Sequence, residues 1–311
     1  MPTYLVTGGA GFIGSNIVEE LVKRGAGVRV LDNFITGSKK NIAPFLGKIK
    51  LIEGDIRDRK ALDEALHGVD YCIHQAALRS VAKSVENPFM TNEINVNGTL
   101  NLLVAAKDHK VKRVVYASSS SAYGDAKHFP QKETDLPVPI SPYGVSKLAA
   151  ENYCVAFAKT FGLETVSLRY FNVFGPRQNP ESRYSAAIPM FIFKMLKGEA
   201  PVVDWDGKQS RDFTYVANVV EANLRACTAR GVSGEVFNVA CGSTTSIIGI
   251  IKSVNRILRT DITPEFGPKR PGDVRKTSAD INKMKRMLKV KRLVQFEEGL
   301  ERTVKWFKDR V

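Results

Sequence analysis

Short apolar runs alternate with amphipathic stretches through the first half of the chain. The runs are rich in β-branched and aromatic residues, as buried strands are, and the stretches between them repeat apolar residues at helical spacing. We predict strands at 4–7, 28–32, 50–53, 71–75, 113–118 and 164–169. We predict helices at about 12–23, 60–66, 92–107 and 143–161. This order predicts an α/β fold built on a doubly wound parallel sheet, whose ligands bind at the carboxyl ends of the strands.

A glycine-rich segment, 8–14 (GGAGFIG), directly follows the first predicted strand and opens the first helix. Gly8 permits a tight turn, Gly11 lets the backbone approach a pyrophosphate, and Gly14 lets the helix lie close to the sheet. The helix N-terminus then offers free N–H groups to phosphates. This context indicates the dinucleotide-binding turn of a Rossmann domain.

Two acidic residues follow the next two predicted strands. Asp32 ends the second strand, where a carboxylate accepts hydrogen bonds from ribose hydroxyls and repels a 2′-phosphate, so we expect NAD rather than NADP. The alternative for Asp32 is a turn residue leading into Asn33. Asp55 is placed to meet the adenine edge, and capping of the following helix is an alternative role for it.

Tyr143 and Lys147 lie four residues apart in a predicted helix, on the same face. An ammonium close to a phenol stabilises the phenolate and lowers the pKa of the phenol from about 10 towards neutral pH. We therefore expect Tyr143 to act as a general base for an alcohol or sugar hydroxyl. The spacing alone is also typical of an exposed helix face, so the expectation depends on the glycine turn.

Beyond residue 169 the alternation gives way to loops rich in Pro, Gly and Asn, with one predicted helix at about 188–197. This region suits a smaller lobe that covers a substrate. We predict a Rossmann domain at 1–171 and mainly a substrate-binding lobe at 172–311, with segments around 215–240 returning to the Rossmann domain.

The formal net charge is +14, and residues 269–292 contain ten Lys or Arg against two acids. The basic residues follow an amphipathic pattern and no aromatic residues lie between them for base stacking, so we do not expect nucleic-acid binding. A basic face also attracts a small anionic substrate.

Cysteine and histidine usage excludes other classes of site. The four cysteines and four histidines are scattered, so we expect buried thiols in a reducing compartment and no metal site. There is no run of about 18 apolar residues and no signal-peptide pattern at the start, so we expect a cytoplasmic protein with no membrane partner.

Three motifs in this order resemble those of the extended short-chain dehydrogenase/reductase family. They are the glycine turn, the serine segment 118–124 (SSSSAYG) and the Tyr143/Lys147 pair. The likeness covers almost the whole chain, which is most similar to the UDP-glucose and UDP-N-acetylglucosamine 4-epimerases. Segments 95–99 (NVNGT), 169–178 (RYFNVFGPRQ), 211–213 (RDF) and 270–274 (RPGDV) occur where those enzymes carry like segments.

The resemblance implies an isomerase that exchanges hydride between NAD and C4 of a UDP-hexose through a 4-keto sugar. Tyr143 would take the proton of the 4-hydroxyl, Lys147 would also bond the nicotinamide ribose, and Ser119, with Ser120 as the alternative, would bond the 4-oxygen. The expected cofactor-binding residues are Gly8, Gly11, Phe12, Ile13, Gly14, Asp32, Asn33, Phe34, Thr36, Asp55, Ile56, Ala76, Ala77, Arg79, Asn95, Tyr143, Lys147 and Tyr170.

The resemblance also implies a substrate pocket in the second half of the chain. Arg211 and Arg270 fall where the family binds the diphosphate of UDP, a task suited to guanidinium groups, and Asp273 matches a residue that holds the uridine ribose. The remaining expected substrate-binding residues are Ser80, Ser119, Asn172, Ala187, Ile188, Phe191 and Thr277. The helix stripe of Ala187, Ile188 and Phe191 would wall the uracil or belong to the plain core.

Two positions bear on the sugar. Thr277 replaces the bulky Tyr of epimerases restricted to glucose and galactose, which leaves room for an N-acetyl group, whereas Arg79 is a basic residue of the glucose type. We therefore expect an enzyme that accepts both plain and N-acetylated UDP-hexoses. The resemblance further implies a homodimer formed through the helices that contain Asn101 and Ala149.

Rival functions are set aside by the same motifs. Relatives that dehydrate or decarboxylate sugar nucleotides place an acid in the serine segment, where this chain has Ser120 and Ser121. UDP-uronate 4-epimerases tend to carry Thr at the position of Asn172, and they remain an alternative. The non-enzymatic alternative is an NAD-binding regulator or a nucleic-acid-associated protein, against which the Ser119, Tyr143 and Lys147 set argues.

Overall fold

A computed structural model describes residues 1–180, 186–269 and 274–310 of the chain. In these ranges the strands are β1 (Thr3–Thr7), β2 (Gly27–Asp32), β3 (Lys50–Glu53), β4 (Tyr71–His74), β5 (Arg113–Ser119), β6 (Glu164–Tyr170), β7 (Val173–Phe174), β8 (Val202–Asp204), β9 (Ser210–Arg211), β10 (Thr214–Tyr215), β11 (Glu235–Val239), β12 (Thr245–Ser246) and β13 (Glu265–Gly267). The helices are α1 (Phe12–Lys23), α2 (Lys39–Ile42), α3 (Arg59–Leu66), α4 (Val81–Glu86), α5 (Pro88–Asn92), α6 (Gly98–Asp108), α7 (Pro142–Thr160), α8 (Ala187–Leu196), α9 (Val216–Thr228), α10 (Ile247–Leu258) and α11 (Phe296–Lys308).

One seven-stranded sheet in the order β11-β6-β5-β4-β1-β2-β3 organises the first part of the chain, and all its strand pairs are parallel. Every residue of β5 is buried, as expected of a central strand with both faces covered. Val114 joins the apolar cluster under α3, α6 and α7, whereas its neighbour Val115 joins the cluster under α1 and α9. The doubly wound α/β fold predicted from the sequence is confirmed.

The predicted strands and helices of the first half are close to the observed elements, with one difference in a helix. The stretch predicted as a single helix at 92–107 is three pieces: α5, a π-helical turn at Glu93–Asn97, and α6. Asn87 accepts a hydrogen bond from the backbone N–H of Met90 at 3.0 Å, and Pro88 occupies the first helical position. These capping features start the helical region earlier than predicted.

The second half contains more regular structure than its sequence pattern indicated. Besides α8, it forms α9, α10 and α11, of which α9 lies against α1 and β11 adds a seventh strand beside β6. Helices α8, α10 and α11 enclose a separate apolar cluster that includes Phe191, Ile251 and Leu300. The division of domains at residue 171 stays a prediction. Within the described ranges, no helix is both long enough and apolar enough to cross a membrane.

Candidate active site

A cavity of about 280 Å³ opens at the carboxyl ends of the central strands. Its wall begins at the glycine turn and ends beside β6 and the segment that follows it. The lining residues are Gly8, Gly11, Phe12, Ile13, Gly14, Leu31, Asp32, Asn33, Ile35, Thr36, Gly54, Asp55, Ile56, Gln75, Ala76, Ala77, Leu78, Arg79, Ile94, Ala117, Ser118, Ser119, Tyr143, Lys147, Tyr170, Asn172, Val173 and Gln178. The structure therefore gathers most residues proposed to bind the cofactor, and all three proposed to be catalytic, around one cavity.

The glycine turn brings helix α1 close to the sheet. A Cβ atom on Gly14 would lie 2.2 Å from the carbonyl oxygen of Gly8, so this position has no space for a side chain. Gly11 precedes α1 without a side-chain cap, which leaves the N–H groups of the first turn available to a ligand. The turn thus offers backbone donors and a helix N-terminus to an anion at one end of the cavity.

Asp32 lies at the next strand end and is 7% exposed. Its carboxylate accepts backbone N–H groups from Ala10 at 2.9 Å and Phe34 at 2.8 Å, so it anchors the glycine turn as well as facing the cavity. Burial raises the pKa of this carboxyl, and these two hydrogen bonds offset part of that rise. A buried carboxylate at this position disfavours a second anion beside it.

Asp55 faces the same end of the cavity but does not cap a helix. Its carboxylate accepts hydrogen bonds from Asn33 at 2.8 Å and from the Arg57 guanidinium at 2.9 Å, and these bonds hold its pKa below the usual range. Asp58, not Asp55, caps α3 by accepting the N–H of Lys60 at 2.9 Å. The capping alternative for Asp55 is therefore wrong.

Helix α7 carries Tyr143 and Lys147 into the other end of the cavity. Ser141 caps the helix by accepting the N–H of Gly144 at 3.1 Å. A Cβ atom on Gly144 would lie 2.6 Å from the carbonyl oxygen of Ser121, so glycine allows the helix to start against the serine segment. This approach places the Tyr143 side chain in hydrogen-bonding contact with Ser119.

The electrostatics of this pair differ from our expectation. Burial raises the pKa of the Tyr143 phenol, while the Ser119 hydrogen bond and the nearby Arg79 guanidinium lower it in part. Lys147 is 4% exposed, its Nζ lies 4.8 Å from the centre of the Tyr116 ring, and burial lowers the pKa of its ammonium to about 7. The prediction that Lys147 lowers the Tyr143 pKa towards neutral is wrong for the chain without ligands, because burial opposes both charged forms.

Several expected contacts are not brought to the cavity. Asn95 is 1% exposed, and its amide bonds both backbone groups of Leu78 and the hydroxyl of Ser146, so it holds the cavity loop rather than facing a ligand. Ser80 caps α4 by accepting the N–H of Lys83 at 3.2 Å. The Lys39 Nζ atom lies 5.0 Å from the centre of the Phe34 ring, and Phe34 does not line the cavity.

The expected substrate residues meet around Asn172. Its amide nitrogen donates to the Thr277 hydroxyl at 3.1 Å and to the backbone oxygen of Asp212 at 3.3 Å. Arg211, next in the chain, is 9% exposed and donates to the backbone oxygens of Ser210 and Val274 at 2.9 and 2.5 Å. Thr277 thus lies one hydrogen bond from the cavity wall.

Three of the expected substrate residues that the structure describes, all on α8, are not in the cavity wall. Ile188 and Phe191 are 1% and 2% exposed inside the α8 cluster, and Ala187 lies at its edge. These three follow the alternative of a plain core, since helix α8 turns the stripe towards α10 and α11. Arg270 and Asp273 lie outside the described residues.

Comparison with known proteins agrees with this arrangement. The NAD dependent epimerase/dehydratase family matches residues 4–240. A putative UDP-glucose 4-epimerase of Methanocaldococcus jannaschii is 39% identical over 308 residues, which is 98% of each chain. The chain belongs to the NAD-dependent epimerase/dehydratase family. The resemblance stated from the sequence motifs is confirmed.

Solved structures of this family have the same fold. A UDP-N-acetylglucosamine 4-epimerase from Methanobrevibacter ruminantium M1, in complex with UDP-N-acetylmuramic acid, is 38% identical with a TM-score of 0.95, covering 100% of this chain and 99% of the other. A UDP-glucose 4-epimerase from Thermotoga maritima, with UDP-glucose, is 39% identical with a TM-score of 0.94, covering 99% of both chains.

NAD is the cofactor of this epimerase/dehydratase family member, and the cavity fits it. The open backbone at Gly11 and the uncapped start of α1 suit a pyrophosphate, and Gly14 allows the close packing that places this helix end there. The Asp32 carboxylate would accept hydrogen bonds from the adenosine ribose hydroxyls, and Lys147, at the opposite end of the cavity, would face the nicotinamide ribose. In the described ranges, no group of three or more His, Cys, Asp or Glu could hold a metal ion.

Sequence reasoning missed two glutamines of the cavity wall. Gln75 donates to the Tyr170 hydroxyl at 2.9 Å, and Gln178 is 5% exposed with its Oε1 atom lacking a hydrogen-bond partner in the described structure. Gln75 ends a predicted strand, and this carboxyl-end position was an available signal. Gln178 ends the segment 169–178, and no pattern in the sequence indicated a role for it.

Proposed function

We propose that this chain is an NAD-dependent 4-epimerase of UDP-hexoses that accepts both plain and N-acetylated sugars. The observation that carries the proposal is the meeting of Ser119, Tyr143 and Lys147 at one end of a cavity whose other end is the glycine turn. A base, a hydrogen-bonding hydroxyl and a cation there suit the oxidation of an alcohol beside a nicotinamide.

When bound, NAD would supply a hydride acceptor and donor for C4 of the sugar. Tyr143 accepts the proton of the 4-hydroxyl and gives it back when the configuration at C4 has changed. Ser119, already bonded to the Tyr143 side chain, hydrogen-bonds the same oxygen and keeps it in line with the phenol. Lys147 in its charged form favours the phenolate, and the partial loss of its charge at neutral pH follows from its burial.

The sugar preference rests on Thr277. Its hydroxyl is held by Asn172, which lines the cavity, so the side chain at 277 borders the space beside the sugar. Thr is much smaller than Tyr, and this supports room for an N-acetyl group at C2. Arg211 supports a diphosphate site because its guanidinium is anchored by backbone oxygens next to the same segment.

Purified protein incubated with single UDP-sugars tests the proposal. Interconversion of UDP-glucose with UDP-galactose and of UDP-N-acetylglucosamine with UDP-N-acetylgalactosamine is expected, with NAD recovered from the denatured protein. UDP-glucuronate is the third substrate, and turnover of it alone would establish the uronate alternative instead. Tyr143→Phe should retain bound NAD and lose turnover. Near-normal activity of this variant would remove Tyr143 from its proposed role.

We also propose a homodimer. The family resemblance implies an interface on α6 and α7, the helices that contain Asn101 and Ala149, and exposed apolar side chains extend the proposed interface over a face formed by α4, α5 and α7. Apolar side chains are exposed on that face, including Val85 at 65%, Phe89 at 84% and Val145 at 52%. Burial of these groups in a dimer removes apolar surface from water. Phe89→Asp should give a monomer in light scattering, whereas Phe266→Asp, at a Phe that is 60% exposed on β13, should not change the mass. A dimer of unaltered stability in Phe89→Asp would refute this interface.

A cytoplasmic location is proposed on the basis of the cysteines. All four, Cys72, Cys154, Cys227 and Cys241, are buried free thiols, as in proteins of reducing compartments.

A further inference from the structure

A buried ion pair lies one helical turn behind the proposed catalytic residues. Glu151 follows Lys147 by four residues on α7, on the face that meets the sheet, and it is 2% exposed. Arg169 of β6 is 3% exposed and donates to the Glu151 carboxylate from Nε at 3.0 Å and from an Nη nitrogen at 2.6 Å. Neither side chain lines the cavity.

The Glu151 carboxylate also connects the ion pair to β5. The hydroxyl of Ser118, the neighbour of Ser119, donates to it at 2.6 Å. In the sheet register Ser118 is opposite Arg169, so three elements meet at a single carboxylate. These elements are α7, which carries Tyr143 and Lys147, β5, which carries Ser119, and β6.

Arg169 extends the connection towards the substrate side. Its guanidinium lies 4.5 Å from the centre of the Tyr123 ring, and the Tyr123 hydroxyl donates to Asn238 at 2.7 Å. The amide of Asn238 donates in turn to the backbone oxygen of Asp280 at 3.2 Å. Asp280 closely follows Thr277 in the chain. A continuous chain of polar contacts therefore runs from helix α7 to the segment that contains Thr277.

Stability does not explain this pair. Removing two charges from water costs free energy, and the attraction between them offsets little more than this cost. Apolar side chains of similar volume in the same place often give a protein of equal stability. The pair differs from apolar packing because hydrogen bonds are directional. A carboxylate that accepts three of them fixes the relative positions of the three donor groups. The donors here belong to the strands that end at the active site.

We propose that Glu151 and Arg169 are positioning residues for the reaction, which set the distance between Tyr143 on α7 and Ser119 on β5. The proposal rests on the proposed function. Without the pair, α7 keeps its apolar contacts and two hydrogen bonds, from the Thr165 hydroxyl of β6 to the backbone oxygen of Cys154 at 2.7 Å and from the Tyr116 hydroxyl of β5 to that of Lys147 at 3.4 Å. It loses its direct bond to Ser118, the neighbour of Ser119, and we expect the Tyr143–Ser119 hydrogen bond to be lost for much of the time. Proton transfer depends on hydrogen-bond distance, so turnover falls although substrate and NAD still bind.

The test uses the apolar double variant Glu151→Leu/Arg169→Met, which removes both charges and leaves neither unpaired. We expect kcat to fall at least tenfold, KM to stay within threefold, and NAD content to be unchanged. The matched control is Glu164→Leu/Arg113→Met, because Arg113 donates to Glu164 at 2.9 Å and these residues begin β5 and β6, at the ends opposite to Ser118 and Arg169. The control should keep the wild-type kcat, since that end of the sheet is remote from the cavity.

A second readout does not require turnover. The phenolate absorbance of Tyr143, obtained as the difference between each protein and its Tyr143→Phe counterpart, gives the titration midpoint of that phenol. Loss of the Ser119 hydrogen bond should raise this midpoint, because that bond lowers the pKa of the phenol. If the double variant proves unfolded, Ser118→Ala, which keeps the ion pair, should show the same shift to a smaller extent.

The outcomes separate the two proposals. A folded double variant with kcat within threefold of wild type and an unchanged midpoint would overturn the positioning role. Equal losses in the control and in the double variant would also overturn it, because they would indicate a general effect of removing a charge pair. A wild-type protein that epimerises no UDP-sugar would refute the proposed function, and the midpoint of Tyr143 would still test the positioning.

Discussion

The buried ammonium of Lys147 should reduce the folding stability of the NAD-free chain. The side chain is 4% exposed, and burial lowers its pKa from 10.5 to about 7. A lysine whose pKa is lower in the folded state than in the unfolded state binds fewer protons when folded. Its charge therefore costs stability below the folded pKa, and this cost disappears as the pH rises towards 10.5. Lys147→Met removes the charge and retains a side chain that can lie over the Tyr116 ring.

The size of the effect follows from the two pKa values. At about 1.4 kcal/mol per unit, the drop from 10.5 to about 7 corresponds to about 5 kcal/mol of lost folding free energy well below pH 7. At pH 7, where about half of the folded lysine is uncharged, the loss is about 4 kcal/mol. At pH 9.5, which is one unit below the pKa of the unfolded lysine, releasing the proton on folding costs only about 1.5 kcal/mol. His74, whose own pKa is lowered to about 3 by burial and by Lys147, stays neutral over this range.

Urea unfolding of NAD-free protein at pH 7 and at pH 9.5 measures both quantities. We expect Lys147→Met to be more stable than wild type by about 4 kcal/mol at the lower pH and by about 1.5 kcal/mol at the higher one, with no turnover. The control is Lys197→Met, because Lys197 also lies over an aromatic ring, 4.0 Å from the centre of Phe193, but is exposed. The control should change the free energy of unfolding by less than about 0.5 kcal/mol at either pH.

A Lys147→Met variant that is less stable than wild type at pH 7 would refute this reasoning, since the ammonium would then be stabilising the fold. A stabilisation of the same size at both pH values would refute it as well. Such a result would assign the effect to packing of the new side chain and not to proton binding.

Three further changes test the cavity. Gly14→Ala places a Cβ atom 2.2 Å from the Gly8 carbonyl oxygen, so we expect at least a tenfold loss of NAD affinity and a loss of about 1–3 kcal/mol of stability. Gly47→Ala is the control, because a Cβ atom there would have no neighbour within 4 Å. Equal NAD content in the two variants would contradict the clash. Asp32→Ser should weaken NAD binding and raise the ratio of NADP to NAD affinity, and an unchanged ratio by calorimetry would argue against the ribose contact. Thr277→Tyr should suppress turnover of N-acetylated sugars selectively, and equal loss on both sugar pairs would count against the size argument.

The sequence predicted the elements that alternate regularly and missed those that depend on distant pairing. All six predicted strands occur, because each is a short apolar run between turn residues. Strand β11 was not assigned, although its residues pair with β6, for example Phe237 with Leu168. Strand β11 follows an irregular region, and its partner β6 lies about 70 residues earlier in the chain. A short apolar segment of this kind has no local pattern that shows whether it pairs with a distant strand.

The chemistry of the site was predicted in kind but not in its electrostatics. Residue types and spacing identified Tyr143 and Lys147, the family resemblance added Ser119, and the structure gathers all three around one cavity. The sign of the Tyr143 pKa shift could not be read from spacing, because it depends on how much water the folded chain excludes from the phenol. An i,i+4 pair has the same spacing on an exposed helix and in a closed cavity.

Motifs also do not separate a residue that touches a ligand from one that holds such a residue in place. Asn95 was expected to bind the cofactor, yet its amide is fully used by Leu78 and Ser146, both part of the cavity framework. Glu151 was not singled out, yet its carboxylate joins three elements of the proposed active site. Both side chains are buried and polar, and such groups persist only when hydrogen-bonded. Their place behind the cavity wall is therefore better explained by the positions they fix than by contact with a ligand.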